Sequence, residues 1–389
     1  MCEVDTMIPI SRTLRQGTPL VMAILLASCS GAEDAREPTV ALPSSATVVE
    51  GVGDRSAAAT GDATPTVAAQ RPPASSDSAA VTMVSQPAVA ANPLDAQRAY
   101  AYLQQICDLG PRPTGSAAMQ AQRELLTKHF EALGAQVDFQ RFEIRHPRTG
   151  EVTPVVNTIV QWHPDRAERI LLCAHYDTRP QPDNPRVPAR SRGTVFIGAN
   201  DGGSGTALLM ELGHHIPTLQ NTALGVDFVF FDAEEFVFNL GTRVDRYFVG
   251  SEHFARLYAN EPRSFRYRWG VLFDMVGDRQ LTIYQEKNSW WWRDTRPLVE
   301  DIWETARELG VREFIARRKH NVRDDHLPLR NIGKIPCCNL IDFDYPSAPR
   351  NRYWHTDADT IDKCSGESLA KVGYVVLSWL EKLPPADSE

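Results

Sequence analysis

From Pro93 onward the apolar positions alternate between two periods. In PLDAQRAYAYLQQICDLG and GSAAMQAQRELLTKHFEALG they recur at helical spacing and stop at Gly110 and Gly134. Both stretches predict amphipathic helices closed by glycine. QVDFQRFEI and VVNTIVQW read as extended segments. RILLCAHYD and GVDFVFFDAEE are continuous apolar runs, the pattern of strands buried on both faces, and WGVLFDMVG and KIPCCNLIDF add two further strands. Helical patterns lie between them in GSGTALLMELGHHI, SEHFARLYAN and PLVEDIWETARELG, and SLAKVGYVVLSWLEKL closes the series. Strands alternating with helices predict an α/β fold, a three-layer α/β/α sandwich around a mainly parallel, mixed sheet. No internal repeat or change of composition interrupts residues 93–389, which predicts one domain.

The pattern before Pro93 is of another kind. Arg12 and Arg15 precede a short apolar run, PLVMAILLASC (19–29). It is too short to span a bilayer as a mature helix, and residues 1–29 have the layout of a secretory signal. LASC (26–29) resembles a bacterial lipobox, which implies cleavage before Cys29 and lipidation of Cys29. The expectation is an exported lipoprotein, anchored to a membrane on its periplasmic or cell-surface side. Residues 30–92 are rich in Ala, Pro, Ser and Thr and nearly lack aromatics. Such a segment buries too little apolar surface to offset its ordering entropy, which predicts a disordered tether.

Composition narrows the function classes. A net charge of −8 over 389 residues does not suit a polyanionic nucleic-acid partner. Cys107, Cys173, Cys337, Cys338 and Cys364 follow the leader without any CxxC pair, and an odd count cannot be fully paired within one chain, although an oxidising compartment would allow a single disulfide.

In open α/β sheets ligands collect at the carboxyl ends of the strands. Here those positions hold His175 and Asp177 in HYDT, Glu234 and Glu235 in FDAEEF, and Asp274 in FDMVG. The following loops carry Asp201 in GANDGGSG and His355 in YWHT. Imidazole and carboxylate are ligands that suit zinc. Adjacent carboxylates at the end of a buried strand need a cation or hydrogen-bond donors. Taken singly, an Asp caps a helix, a loop His is solvated, and the glycine-rich loop is a turn with Ser204 as cap. Together, at successive strand ends, these residues predict a metal site.

HYD, NDG, EE, a strand-end Asp and a late His stand here in the order found in the zinc aminopeptidase and glutaminyl cyclase superfamily, which the chain after Pro93 resembles. The resemblance implies a zinc-exopeptidase-like fold, zinc as cofactor, and peptide or protein N-termini as substrates. It implies Asp201, Glu235 and His355 as metal ligands, His175 and Asp274 as ligands of a second metal or as supporting residues, and Glu234 as general base. The two branches of the superfamily share these positions. RDDHLPL (323–329) and the Trp354 that precedes His355 resemble the cyclases. That likeness implies a catalytic carboxylate network of Glu234, Asp274 and Asp324, with Trp354, Arg323 and Asp325 facing substrate. GANDGGSG is nearer the aminopeptidase loop, and Leu240 and Arg323 stand where animal cyclases carry Trp and Gln. The leading expectation is cyclisation of N-terminal glutamine to pyroglutamate with release of ammonia, using one zinc. The alternatives are an aminopeptidase with two zinc ions and a non-catalytic surface-binding lipoprotein. Trp290, Trp291 and Trp292 are expected to cap the core or line the mouth of the cleft, RRKH (317–320) to be a solvated loop, and His214 and His215 to be structural.

Overall fold

The computed structural model describes residues 91–219, 223–241, 244–346 and 351–383. The expected leader, Cys29 and almost all of the tether lie outside these residues. The strands are β1 (Gln136–Arg145), β2 (Val152–Trp162), β3 (Glu168–His175), β4 (Gly225–Phe231), β5 (Arg266–Asp274), β6 (Ile283–Glu286), β7 (Phe314–Lys319) and β8 (Cys337–Ile341). Six of them form one sheet in the order β1-β2-β4-β3-β5-β8, and β6 pairs with β7 apart from it. β4, β3, β5 and β8 run parallel, while β2 joins β1 and β4 in antiparallel ladders. The sheet is therefore mainly parallel and mixed, as expected. β3 and β4 are buried along their whole length, which is why they lack a polar alternation.

The helices are α1 (Ala96–Asp108), α2 (Ala117–Ala132), α3 (Gly203–Leu212), α4 (Val249–Asn260), α5 (Lys287–Trp291), α6 (Arg296–Glu308), α7 (His326–Asn331) and α8 (Gly366–Lys382). The pleat sorts the strand residues between two helical layers. Ile170 and Leu172 of β3 and Phe228 and Phe230 of β4 pack in one core with residues of α1, α2, α3, α6 and α8. Leu171, Cys173, Val229 and Phe231 face the other way, onto Phe254 of α4 and Leu329 of α7. Side chains cap the first two helices: Asp95 accepts from the amides of Gln97 and Arg98 at 3.0 Å, and Ser116 from Met119 at 3.1 Å.

Several local expectations are corrected. Gly202, at φ 82°, caps α3, so the alternative of a plain turn capped by Ser204 does not hold. Ser204 is buried inside the helix, where its Oγ accepts the Val276 amide at 3.0 Å. RRKH is not a free loop, because most of it forms β7, and Lys319 and His320 both pair with Asp344. Trp290 and Trp291 sit on α5 and Trp292 follows its end: Trp290 packs on the main core, as expected, while Trp291 is 54% exposed. His214 is structural as expected, its Nε2 lying 2.6 Å from the Tyr102 hydroxyl.

One buried ion pair ties β3 to β4. Arg169 gives Nε–H to Asp227 Oδ2 at 2.9 Å and a second bond to Oδ1, and it donates to the Trp162 carbonyl at 3.0 Å. Both side chains are fully buried. Arg169→Met is expected to cost about 3–5 kcal/mol in urea unfolding, because it strands the Asp227 carboxylate in the core. The double variant Arg169→Met/Asp227→Leu is expected to regain most of that loss.

Candidate active site

The loops that leave β3, β4, β5 and β8 bring the strand-end residues together at one edge of the sheet. The last residues of β3 and β5 are His175 and Asp274, and Glu234 and Glu235 follow β4 by a short turn. Asp201 lies on the turn into α3. Backbone contact there is so close that a Cβ on Gly202 would stand 2.5 Å from the Asp177 carbonyl oxygen. His355 comes in from the segment between β8 and α8.

Two overlapping clusters share Asp201. Nε2 of His355 lies 3.0 Å from Glu235 Oε1 and 3.4 Å from Asp201 Oδ2. Nε2 of His175 lies 3.3 Å from Asp201 Oδ1 and 3.4 Å from Asp274 Oδ1. In each cluster the three ligand atoms fall within 4.8 Å of one another. These are carboxylate oxygens and ring nitrogens, and Asp201 Oδ2 is buried without any hydrogen-bond donor. An acceptor-rich, donor-poor set of this kind fits a divalent cation, and imidazole with carboxylate fits zinc.

A supporting layer holds the ligands. Asp177 accepts the amides of Glu234 and Glu235 at 3.1 and 2.9 Å, and its Oδ1 stands 3.7 Å from Nδ1 of His175. Asp359 accepts the amides of Asn200 and Asp201 at 2.8 and 3.1 Å and the Tyr345 hydroxyl at 2.8 Å. Asp183 Oδ1 lies 3.0 Å from Nδ1 of His355. A proton shared there leaves the Nε2 lone pair of His355 for a cation. Arg179 is buried beside these groups, with its Nε 2.7 Å from Glu235 Oε2. Arg179, Asp183 and Asp359 were not singled out in the sequence. The only signal for them is their place inside or beside HYDT and YWHT.

The adjacent glutamates differ in proton affinity. Burial raises both, but Arg179 and then His355 pull Glu235 well below the usual carboxylate range. Glu234 lacks such a partner, so burial and then the charge of Glu235 push it well up. Asp274 is pushed up to about 7 by burial and by the charge of Asp324, and burial raises Asp324 as well.

A cleft of about 250 Å³ opens over these groups. Glu234, Asp274 and Asp324 line it together with Arg323, Phe343 and Trp354. Trp354 stacks on the His355 ring at 3.8 Å and meets the edge of Phe343 at 5.4 Å. Asp324 is fixed by the Asn339 side-chain amide, which donates to Oδ2 at 2.7 Å. Asp325 does not line the cleft: it is fully buried and accepts the Ser251 hydroxyl, so the expected contact with substrate is corrected. Trp290, Trp291 and Trp292 are also absent from the lining, as is Leu240.

The pattern of peptidase family M28 matches residues 157–380, more than half of the chain, and the chain belongs to that family. Membership implies dependence on zinc, in keeping with the two ligand clusters. The crystal structure of Fimbriiglobus ruber glutaminyl cyclase is 39% identical, with a TM-score of 0.68, over 75% of this chain and 96% of that one. Glutaminyl-peptide cyclotransferase of Gloydius blomhoffii is 26% identical over 258 residues, 58% of this chain. The match spans 65% of the length of that curated relative. Aminopeptidase YwaD of Bacillus subtilis is 26% identical over 218 residues, 55% of this chain and 40% of that protein.

Removing the acceptor on His355 Nδ1 by Asp183→Ala is expected to weaken zinc binding roughly 10–100-fold, as measured by competition with a chromophoric chelator. Glu234→Gln is expected to leave zinc affinity unchanged, because that side chain stands outside both ligand clusters.

Proposed function

We propose that this protein cyclises the N-terminal glutamine of peptides and proteins to pyroglutamate, releasing ammonia. The observation that carries the reading is Asp324, a carboxylate outside both metal clusters that lines the cleft with Glu234 and Asp274. In cyclisation Asp324 has a task beside Asp274, to hold the departing amide nitrogen while Glu234 carries its proton. The likeness to the Fimbriiglobus ruber cyclase, at 39% identity, supports the same choice.

In this reading the glutamine side chain packs against Trp354, which with Phe343 keeps water from the cleft. Glu234 takes a proton from the α-amino group, the nitrogen attacks the γ-carbonyl, and Glu234 returns the proton to the leaving nitrogen. Asp274 and Asp324 hold that nitrogen and share a proton, as close carboxylates do. Holding amine and amide in one cleft supplies the proximity advantage of an intramolecular attack. A single zinc held by Asp201, Glu235 and His355 would, when bound, polarise the γ-carbonyl and stabilise the negative charge on its oxygen. His175 then supports Asp201 and Asp274 from behind. A two-zinc aminopeptidase draws its support from the second cluster, His175, Asp201 and Asp274.

The sequence LASC at 26–29 supports export and lipid anchoring through Cys29. The mass of the mature N-terminal peptide tests this: acyl chains on Cys29 are expected, and an unmodified Cys29 in the mature protein rules the anchor out.

Peptides beginning with Gln, Leu and Ala, incubated with the zinc-loaded protein and read by mass spectrometry, decide the reaction. Gln peptides alone are expected to lose ammonia with the chain intact. Release of the first residue from Leu and Ala peptides would establish the aminopeptidase instead. Glu234→Gln is expected to lower kcat by about 10²–10⁴. Glu234 accepts a proton only when ionised, and its proton affinity is raised. Activity is therefore expected to fall as pH drops through that raised value.

A further inference from the structure

The rim of the cleft carries positive charge that the chain leaves without an acidic partner. Arg323 lines the cleft and is exposed, directly before Asp324 in the sequence. Its guanidinium lies over the rings of Tyr247 and Phe248, at 5.5 and 6.0 Å from their centroids. Arg186 is exposed as well, and its guanidinium lies over Trp354 and Phe343 at 5.6 and 5.8 Å. Tyr247, Phe248, Phe343 and Trp354 all line the same cleft. Two arginines thus rest on its aromatic walls from different segments of the chain.

The acids nearby are already engaged. Asp183 faces Arg179 and His355, and Asp344 faces Lys319 and His320. Asp245 accepts the amides of Phe238, Leu240 and Gly241. Among the described residues neither Arg186 nor Arg323 has a carboxylate in salt-bridge reach, although the protein as a whole is acidic, at −8. A guanidinium held over a ring in this way still has N–H groups to offer, and that fork matches a carboxylate.

We propose that Arg323 and Arg186 select substrates in which an acidic residue follows the N-terminal glutamine at the second or third position. The inference rests on the cyclase reading, because it needs the substrate N-terminus held beside Glu234 with the chain leaving past Asp324 and Arg323. An extended residue advances about 3.3 Å, so the side chains of those next residues come out at the rim. Arg323 there is a specificity residue for the peptide and not a group that moves protons.

The test uses the zinc-loaded protein and three peptides that differ only after glutamine: Gln-Glu-Glu, Gln-Ala-Ala and Gln-Lys-Lys, each with a neutral tail. The expected result is a kcat/KM for Gln-Glu-Glu about tenfold above that for Gln-Lys-Lys, carried by KM and shrinking as salt is raised to 0.5 M. Arg186→Gln is expected to reduce the ratio about threefold, and Arg323→Glu to invert it in favour of Gln-Lys-Lys. Inversion is a result that a merely structural role for Arg323 does not produce, and circular dichroism confirms that each variant is folded. Equal kcat/KM for the three peptides, or a ratio untouched by both variants, overturns the selection while leaving cyclisation standing. Failure to cyclise any of the three overturns the cyclase reading itself and this inference with it.

Discussion

Several buried acceptors converge in two overlapping clusters with few donors among them, and the rest of the site is arranged around that conflict. Asp201, Glu235 and His355 bring their ligand atoms within 4.8 Å of one another, and so do His175, Asp201 and Asp274. Desolvating such charges costs several kcal/mol each unless a cation or hydrogen bonds compensate. The main chain withholds hydrogen bonds there, although Arg179 reaches Glu235 Oε2 at 2.7 Å. The main-chain amides of Glu235 and Asp201 point at Asp177 and Asp359, and not at the ligand oxygens. Those two aspartates thereby fix the ligand segments from behind, while Asp201 Oδ2 stays without a donor. A site built in this way is complete only with a metal.

The sheet explains why the residues can meet at all. Parallel strands present all their carboxyl ends at one edge, so four separate loops open onto the same place. At that edge the backbone turns through the left-handed region at non-glycine positions: Ala233 at φ 61°, Met275 at 47° and His355 at 53°. Such conformations cost about 1–3 kcal/mol each and persist where the surroundings enforce them. Here they adjoin Glu234, Asp274 and the late ligand. The sharp turns redirect the chain after an extended strand, so that the glutamate, the aspartate and the imidazole reach one centre.

How much of this could be read from the sequence followed from which residues are constrained locally. A strand buried on both faces holds a carboxylate only with a partner, as Asp227 has in Arg169, so the break from apolar to acidic at FFDAEE marked both the end of β4 and the site. Arg179 and Asp183 could not be read this way. Their partner His355 is distant in sequence, and only the closed fold brings it 3.0 Å from Asp183. The pair Asp324 and Asp325 shows the same limit at shorter range. Two identical neighbours stand before a helix too short to show a period, and only the packing of Ser251 on Asp325 separates the cleft residue from the buried one. β6, β7 and α5 were missed for a like reason, since four to six residues carry little periodicity.

The two adjacent glutamates show how one short motif can serve two tasks. Their burial is nearly the same, with exposures of 8% for Glu234 and 5% for Glu235. What separates them is the company each keeps. Arg179 and His355 make ionisation easy for Glu235, and its settled negative charge then makes ionisation hard for Glu234. On the cyclase reading, Glu235 serves as the ligand and Glu234 as the proton carrier. The same logic extends to Asp274, which can face a cation beside His175 or share a proton beside Asp324. Burial and then the charge of Asp324 favour a proton on Asp274, and on the cyclase reading that proton is the one the two carboxylates share. On the cyclase reading, then, the step from two metals to one does not require losing any ligand. It requires only a third acid, held in place by Asn339, close enough to claim Asp274 for proton transfer.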